Sequence, residues 1–270
     1  MNSVITEIQA IPRRNVGPIN FSVVPLAEAI DIVTRLASQP LDKGVAVHFC
    51  NAYNVALADD DPAYAELINN GDLVFSDGTP VVWAGKRLHK DLAHAWTRVY
   101  GPDLLTGVLG KSDAKDDSGP RHYFLGSTPE TLSALCEAIH ERWPMATIAG
   151  IESPPFRTAT PFELAARDER IRASRATCVW VGLGTPKQDY EVTRLATVMP
   201  VVALAVGAAF DFTAGMKRQA PVWMQSSGTE WIYRLATEPR RLARRYLWGN
   251  PRFIVAVFQN GPRLRRIRGA

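Results

Sequence analysis

Residues 51–78 read NAYNVALADDDPAYAELINNGDLVFSDG, and the fold of the whole chain turns on this stretch. An apolar run at 45–49 leads into Asn51 and Asn54, a helical pattern follows over about 53–69, and a second short apolar segment at 72–75 ends at Asp77-Gly78. The order is strand, polar turn, helix, strand, polar turn. Loops that follow the carboxyl ends of parallel strands share one edge of the sheet, so Asn51 and Asp77 are expected to face one crevice. An amide beside a carboxylate able to accept a proton marks a candidate active site.

Working outward, the same grammar repeats. Apolar residues at Leu26, Ala29, Ile30, Val33 and Leu36 carry a helical period over 26–38. Residues 1–20, broken by Pro12 and Pro18, read as an irregular or short β lead-in. Pro80 suits the first turn of a helix over 80–88, where its missing N–H is no loss. Downstream, strands at 122–125, 147–151, 177–181 and 201–206 alternate with helices near 104–109, 129–142, 161–174 and up to 197. Ser127 or Thr128 is the expected cap of the 129–142 helix, and residues 111–120 read as a polar surface loop. This alternation predicts an α/β domain with a Rossmann-like parallel sheet flanked by helices. From Gly215 the pattern changes to helical segments with tryptophans and arginines, which places a boundary between residues 1–213 and 214–270.

The 270 residues, 46% hydrophobic and 21% charged, have the composition of a globular protein with a full core. No window reaches the ~18 apolar residues of a membrane span, and the first residues lack a signal peptide's apolar core, so a cytoplasmic location is expected. Cys50, Cys136 and Cys178 are odd in number and lack CxxC spacing, which indicates neither a disulfide framework nor a zinc site. The five histidines are scattered without ligand spacing and no Asp-x-Asp pair ends a strand, so no metal and no cofactor are expected. Asp59-Asp60-Asp61 reads as a solvated helix face.

The net charge of +4 is unevenly spread. From Ala214 onward twelve Lys or Arg face only Glu230 and Glu238, a surplus of ten positive charges on an otherwise mildly acidic chain. Trp223, Trp231, Tyr233, Tyr246 and Trp248 interleave with this charge, and Arg240, Arg241, Arg244 and Arg245 share one side of a helix. Basic residues beside interfacial aromatics suit a helix on anionic lipid. They suit single-stranded nucleic acid as well, but the apolar run 253–258 wants an apolar partner and ranks the membrane first.

Three further turns carry chemistry. Gly182-Leu183-Gly184-Thr185-Pro186-Lys187 follows a strand and opens a helix, where N–H groups can cradle phosphate. Lys187 stands where the dinucleotide fingerprint needs a third glycine, and no GxxxxGK[ST] occurs, which argues against a dehydrogenase and a P-loop nucleotidase. The alternative is a plain helix-entry turn, against which Lys187 and Gln188 favour nucleotide or sugar contact. Asp211, after Gly207-Ala208-Ala209-Phe210, either accepts sugar hydroxyls or caps the next segment. Arg98, near Gly101 and Asp103, either binds phosphate or is solvated.

Taken in order, Asn51, Asp77-Gly78, Arg98 to Asp103, Gly182 to Gln188, Gly207 to Asp211, Lys217 to Pro221, Glu230-Trp231 with Tyr233-Arg234-Leu235, and Glu238 to Leu242 resemble the TagA/WecG/CpsF bacterial glycosyltransferases, glycosyltransferase family 26. The likeness covers roughly residues 23–258. It implies an inverting, metal-independent transferase that moves a sugar from a UDP-sugar to a polyprenyl-diphosphate-linked sugar, peripheral on the inner face of the plasma membrane. It implies Asp77 as the base, with Asn51, Arg98, Gln188 and Asp211 in the pocket. The basic C-terminal appendage is implied to bind the membrane surface and supply arginines. Gly182, Gly184, Arg218, Arg234 and Arg241 are the expected partners of the leaving diphosphate. The chain departs from the family in having Phe49 where members often carry Thr and Asp189 where many carry Glu. N-acetylmannosamine, its uronic acid and glucose all suit the family as transferred sugars, and a homo-oligomer is compatible with it. The other reading left by the residues is a non-catalytic nucleotide or nucleic-acid binding protein using the basic tail.

Overall fold

The computed structural model describes residues 3–113 and 119–259. In chain order the elements are α1 (Ser3–Ala10), β1 (Arg13–Val16), β2 (Ile19–Ser22), α2 (Leu26–Ala37), β3 (Val45–Cys50), α3 (Ala52–Asp60), α4 (Pro62–Asn69), β4 (Leu73–Ser76) and α5 (Thr79–Leu88). Then come α6 (Gly101–Ser112), β5 (Arg121–Gly126), α7 (Pro129–Arg142), β6 (Thr147–Glu152), α8 (Pro161–Ala173), β7 (Cys178–Gly182), α9 (Lys187–Val198) and β8 (Val202–Leu204). The chain continues through α10 (Ala209–Thr213), α11 (Val222–Ser226), α12 (Glu230–Thr237) and α13 (Pro239–Gln259). Six strands form the expected parallel sheet in the order β4-β3-β8-β7-β5-β6, with helices between them. No helix among the described residues is long and apolar enough to cross a membrane.

Two compact units share the chain: Met1–Ala10, Ala27–His48 and Gly101–Arg218 form one, and Ile11–Leu26, Phe49–Tyr100 and Gln219–Ala270 the other. In the first unit β7 and β8 sit inside the sheet and are apolar throughout, because a parallel strand covered on both faces has no solvent side. Val179, Val181, Leu195, Val201 and Ala203 belong to its core. His122 is buried in that unit: Trp180 Nε1 donates to its Nδ1 at 3.0 Å, and its Nε2 lies 3.0 Å from Ser112 Oγ. Cys178 is buried there too, a small core residue as its apolar surroundings suggest.

In the second unit the antiparallel β1–β2 hairpin packs into a core with Tyr64, Val74, Trp96, Phe253 and Ala256. Helix α13 is amphipathic. Leu242, Gly249, Phe253 and Ala256 fall on one side, and all are buried, with Gly249 against Tyr53. On the opposite side Arg240, Arg244, Leu247, Pro251, Ile254 and Phe258 are all exposed, at alternating spacings of four and three.

Three local expectations change. The helix read over 53–69 is two helices, because Asp61 ends one and starts the other. Its N–H donates to Leu57 O at 2.8 Å, while its Oδ1 accepts from Ala63 N at 2.9 Å and Tyr64 N at 3.3 Å, and Pro62 occupies the first helical position. Asp59 and Asp60 are not merely solvated: both pair with Arg252, at 2.9 and 3.4 Å. The lead-in also carries a helix, α1, before its hairpin.

Candidate active site

The turn after β3 and the turn after β4 meet in the second unit. Asp77 N–H donates to Cys50 O at 3.0 Å. Gly78 packs closely on the Asn51 turn, where a Cβ would stand a tight 3.1 Å from Asn51 Cβ. Asn51 is the N-cap of α3: its Oδ1 accepts from Tyr53 N at 2.9 Å, and its own N–H donates to Asn54 Oδ1 at 3.1 Å, a reciprocal cap. Asn54 is anchored in turn by Tyr64, whose hydroxyl accepts from its Nδ2 at 2.9 Å. The amide next to Asp77 is thus held rigidly by the helix it starts.

Residues 97–99 run beside the end of β4. Ser76 O accepts from Val99 N at 2.9 Å and Ser76 Oγ donates to Thr97 O at 2.9 Å, which places Arg98 against the Asp77 peptide. Arg98 Nε donates to Asp77 O at 2.8 Å, and its Nη2 lies 2.6 Å from Glu230 Oε2. The guanidinium stacks 3.7 Å from the Tyr100 ring centroid, and the Tyr100 hydroxyl reaches Glu230 Oε1 at 3.3 Å.

These groups border a cavity of about 250 Å³ whose walls include Asn51, Asp77, Arg98, Glu230, Arg234 and Arg245. Trp231, Tyr246, Phe253 and Ile254 add an apolar side. Asp77 is half-buried at the wall.

The three guanidiniums differ electrically. For Arg98, burial works against the charge, yet Glu230 and Asp77 outweigh it and raise its pKa. Arg234 is raised too, since Tyr246, Tyr100, Glu230 and Asp77 together overcome its burial. Arg245 is the exception. Burial pulls its pKa down, and Arg234 adds to that. Its Nη2 makes a 3.3 Å bond to Asn51 Oδ1 and its plane lies 4.6 Å from the Tyr53 ring centroid, but its Nε is buried without a hydrogen-bond partner. A half-buried guanidinium with an unpartnered Nε is a candidate site for an anion. Tyr100 is pushed well above the ordinary phenol range by burial, with Glu230 and Asp77 adding, so it stays a neutral donor.

Of the residues expected at the site, Asn51, Asp77, Arg98 and Arg234 line this one cavity. Gly182, Gly184, Gln188, Asp211 and Arg218 belong to the other unit. There Gln188 braces its own turn, its Oε1 accepting from Gly184 N at 3.0 Å and its Nε2 donating to Ala205 O at 2.9 Å. Gly184, at φ +79°, has open space where a side chain would be. Asp211 pairs with Lys217 at 3.2 Å, and Arg218 is exposed. Arg241 lies in α13, its side chain outside the described residues. Phe49 packs on Phe75 with tilted rings, 5.6 Å between centroids, and Asp189 holds the buried His48 at 3.2 Å.

The sequence reading gave no site role to Tyr53, Tyr100 or Arg245, and placed Glu230 only within a family block. Glu230 is 132 positions from Arg98, so no local spacing links them. Arg245 had one signal, its helical neighbourhood with Arg241. Among the described residues no group of three His, Cys, Asp or Glu side chains is placed to hold a metal ion.

The model described as the glycosyl transferase WecG/TagA/CpsF family matches residues 14–267. A curated relative from Bacillus spizizenii (strain ATCC 23059 / NRRL B-14472 / W23) is 29% identical over 246 residues, covering 90% of this chain and 91% of its own. That relative is an N-acetylglucosaminyldiphosphoundecaprenol N-acetyl-beta-D-mannosaminyltransferase. With a match across nearly its whole length, the chain belongs to the WecG/TagA/CpsF glycosyltransferase family.

Proposed function

We propose that this glycosyltransferase moves N-acetylmannosamine or a related hexose from a UDP-sugar to a sugar carried on polyprenyl diphosphate, in the building of a cell-surface polysaccharide. One observation carries the reading: a half-buried carboxylate and three guanidiniums border one cavity that has an apolar side. The curated relative's substrate, a sugar on undecaprenyl diphosphate, has the matching parts of hydroxyl, diphosphate and hydrocarbon.

In this reading Asp77 removes the proton from the acceptor hydroxyl as that oxygen attacks the anomeric carbon. The bond to the UDP oxygen breaks on the opposite face, and the sugar inverts. Two carboxylates, Asp77 and Glu230, line the cavity. Glu230 is engaged by Arg98 through one oxygen and by Tyr100 through the other. Asp77, in the turn after β4 beside the Asn51 cap, is assigned the role of base. Arg245 and Arg234 offset the charge that develops on diphosphate, as fixed dipoles and cations do best in a partly dry site. Guanidinium neutralisation makes the reaction metal-independent in this scheme, so turnover should survive a chelator. The turns at Gly182, Gly184, Gln188 and Asp211 are assigned to the donor, a role that the open space beside Gly184 supports. Arg218 and Arg241 are assigned to diphosphate.

Residues 214–270 act in this reading as a basic appendage to the catalytic region 1–213, resting on the inner face of the plasma membrane. The exposed stripe of α13, basic at Arg240 and Arg244 and apolar at Leu247, Ile254 and Phe258, supports it. Exposed Trp223 supplies an interfacial aromatic.

The test is release of UDP from a panel of UDP-sugars, with a short-chain polyprenyl-diphosphate-N-acetylglucosamine acceptor in detergent, with and without EDTA. Acceptor-dependent release in the wild type, lost by at least about a hundredfold in Asp77→Asn with UDP binding retained, is the expected result. Undiminished turnover in Asp77→Asn would remove the base.

A further inference from the structure

We propose that Glu230 is a positioning residue for the transfer: it fixes the Arg98 guanidinium, and through Arg98 the Asp77 peptide, so that the Asp77 carboxylate meets the acceptor hydroxyl. The inference rests on the reading of the cavity as a transferase site.

The geometry is a relay. Glu230 opens α12 and sends one carboxylate oxygen to Arg98 Nη2 at 2.6 Å and the other to the Tyr100 hydroxyl at 3.3 Å. Tyr100 braces Arg98 from one side, its ring centroid 3.7 Å from the guanidinium carbon. With the guanidinium held at both ends, its Nε meets the Asp77 carbonyl at 2.8 Å. A planar fork transmits position well, since fixing one edge of the guanidinium fixes the direction of its other N–H groups. The pair is also shielded, with side-chain exposures of 19% and 15%, so its energy is less screened than that of a surface ion pair.

A second contact converges on Arg98 from the same part of the chain. Gln225 Oε1 lies 3.5 Å from Nη1, and Gln225 is itself fixed by donating from Nε2 to Ala220 O at 2.8 Å. Thr79, two residues past Asp77, donates its hydroxyl to Gln225 O at 3.0 Å. The residues around 220–230 therefore grip both the Asp77 turn and the arginine beside it. Arg98 is thereby committed to organising the base, and the anion-binding work falls to Arg245 and Arg234.

Two arms test this. In the first, turnover is measured for Glu230→Ala, Glu230→Gln, Arg98→Ala and the Arg98→Ala/Glu230→Ala double variant. A misplaced base costs turnover rather than affinity, so Glu230→Ala should lose about 10- to 100-fold in kcat with KM for donor and acceptor within about twofold. The isosteric Glu230→Gln should recover part of the loss, and the double variant should be no slower than Arg98→Ala alone. Losses that multiply in the double variant, or that appear in KM, would overturn the proposal. In the second arm a 1,2-dicarbonyl reagent modifies arginines and peptide mass spectrometry follows Arg98. Modification several-fold faster in both Glu230 variants than in the wild type is expected, and equal rates would overturn the proposal whether or not turnover is seen. Absence of acceptor-dependent UDP release in the wild type would instead sink the transferase reading, leaving the dicarbonyl arm to judge Glu230 alone.

Discussion

Arg245 Nη2 lies 3.3 Å from Asn51 Oδ1, across 194 positions of sequence, so the residue that starts α3 is also the residue that steadies a half-buried guanidinium. Asn51 caps its helix with the same oxygen. Arg245 is left with one long bond, a ring face and an Nε without a hydrogen-bond partner.

An anionic ligand supplies what Arg245 lacks. Arg245→Gln should weaken UDP inhibition about 10- to 100-fold, the range expected when a charge-assisted hydrogen bond worth ~1.5–3 kcal/mol is removed. Arg245→Lys should recover little, because an ammonium cannot reproduce the planar fork. Unchanged inhibition in Arg245→Gln would take this residue out of the anion site.

The exposed face of α13 should govern attachment to lipid. Replacing Leu247, Val255 and Phe258 with Ser removes three exposed apolar side chains that do not line the cavity, and leaves the buried stripe untouched. Sedimentation with vesicles containing anionic lipid should fall several-fold, while turnover on a short-chain acceptor in detergent stays near wild type. Equal sedimentation of the triple variant would separate this face from the membrane.

His122 makes the fold acid-sensitive. Trp180 can only donate, so Nδ1 is the acceptor and Nε2 carries the proton, donating to Ser112. Burial lowers the His122 pKa to about 3, against roughly 6.5 in an unfolded chain. Between those values the unfolded state binds the proton and the native state does not, so this contribution to stability is present above pH ~6.5 and is lost as pH falls towards 3. The limiting slope is about 1.4 kcal/mol per pH unit. Urea unfolding at pH 7 and pH 4.5 should show a smaller loss for His122→Gln than for wild type, whatever the variant's absolute stability. Identical losses would mean that another group sets the acid limb.

Asp61 should matter to stability and not to chemistry. It closes α3 and caps α4, so Asp61→Ala should cost about 1 kcal/mol, and Asp61→Asn much less. Thermal melts of the two variants would measure the difference, with kcat unchanged in both.

Much of the fold was legible because its signals are local. Apolar runs bounded by polar turns recur at strand and helix lengths, and that alternation admits few arrangements other than a parallel sheet with helices. The split at Asp61 was also written in the chain, since an acidic residue followed by proline is a helix start. It was hidden by the helical character on both sides. The polar residues at strand ends, Asn51 and Asp77, were readable for a similar reason: in a parallel sheet they have one edge to occupy. Their neighbours were not readable. A carboxylate among arginines in a basic tail looks like a solvated charge, and nothing near Glu230 in sequence names Arg98 as its partner. Composition alone left the tail open to lipid or nucleic acid, because both attract arginine and aromatic rings.

The sequence by itself determined the parallel α/β sheet, the turns that carry Asn51 and Asp77, and a family whose blocks run nearly the length of the chain. Only the tertiary structure decided which partner each arginine meets. Arg98 is tied to Asp77 and Glu230, while Arg245 is half-buried with an unpartnered Nε. The reason is physical: periodicity and capping depend on neighbours within a few residues, whereas burial and ion pairing depend on whatever distant side chain folding brings within about 3 Å.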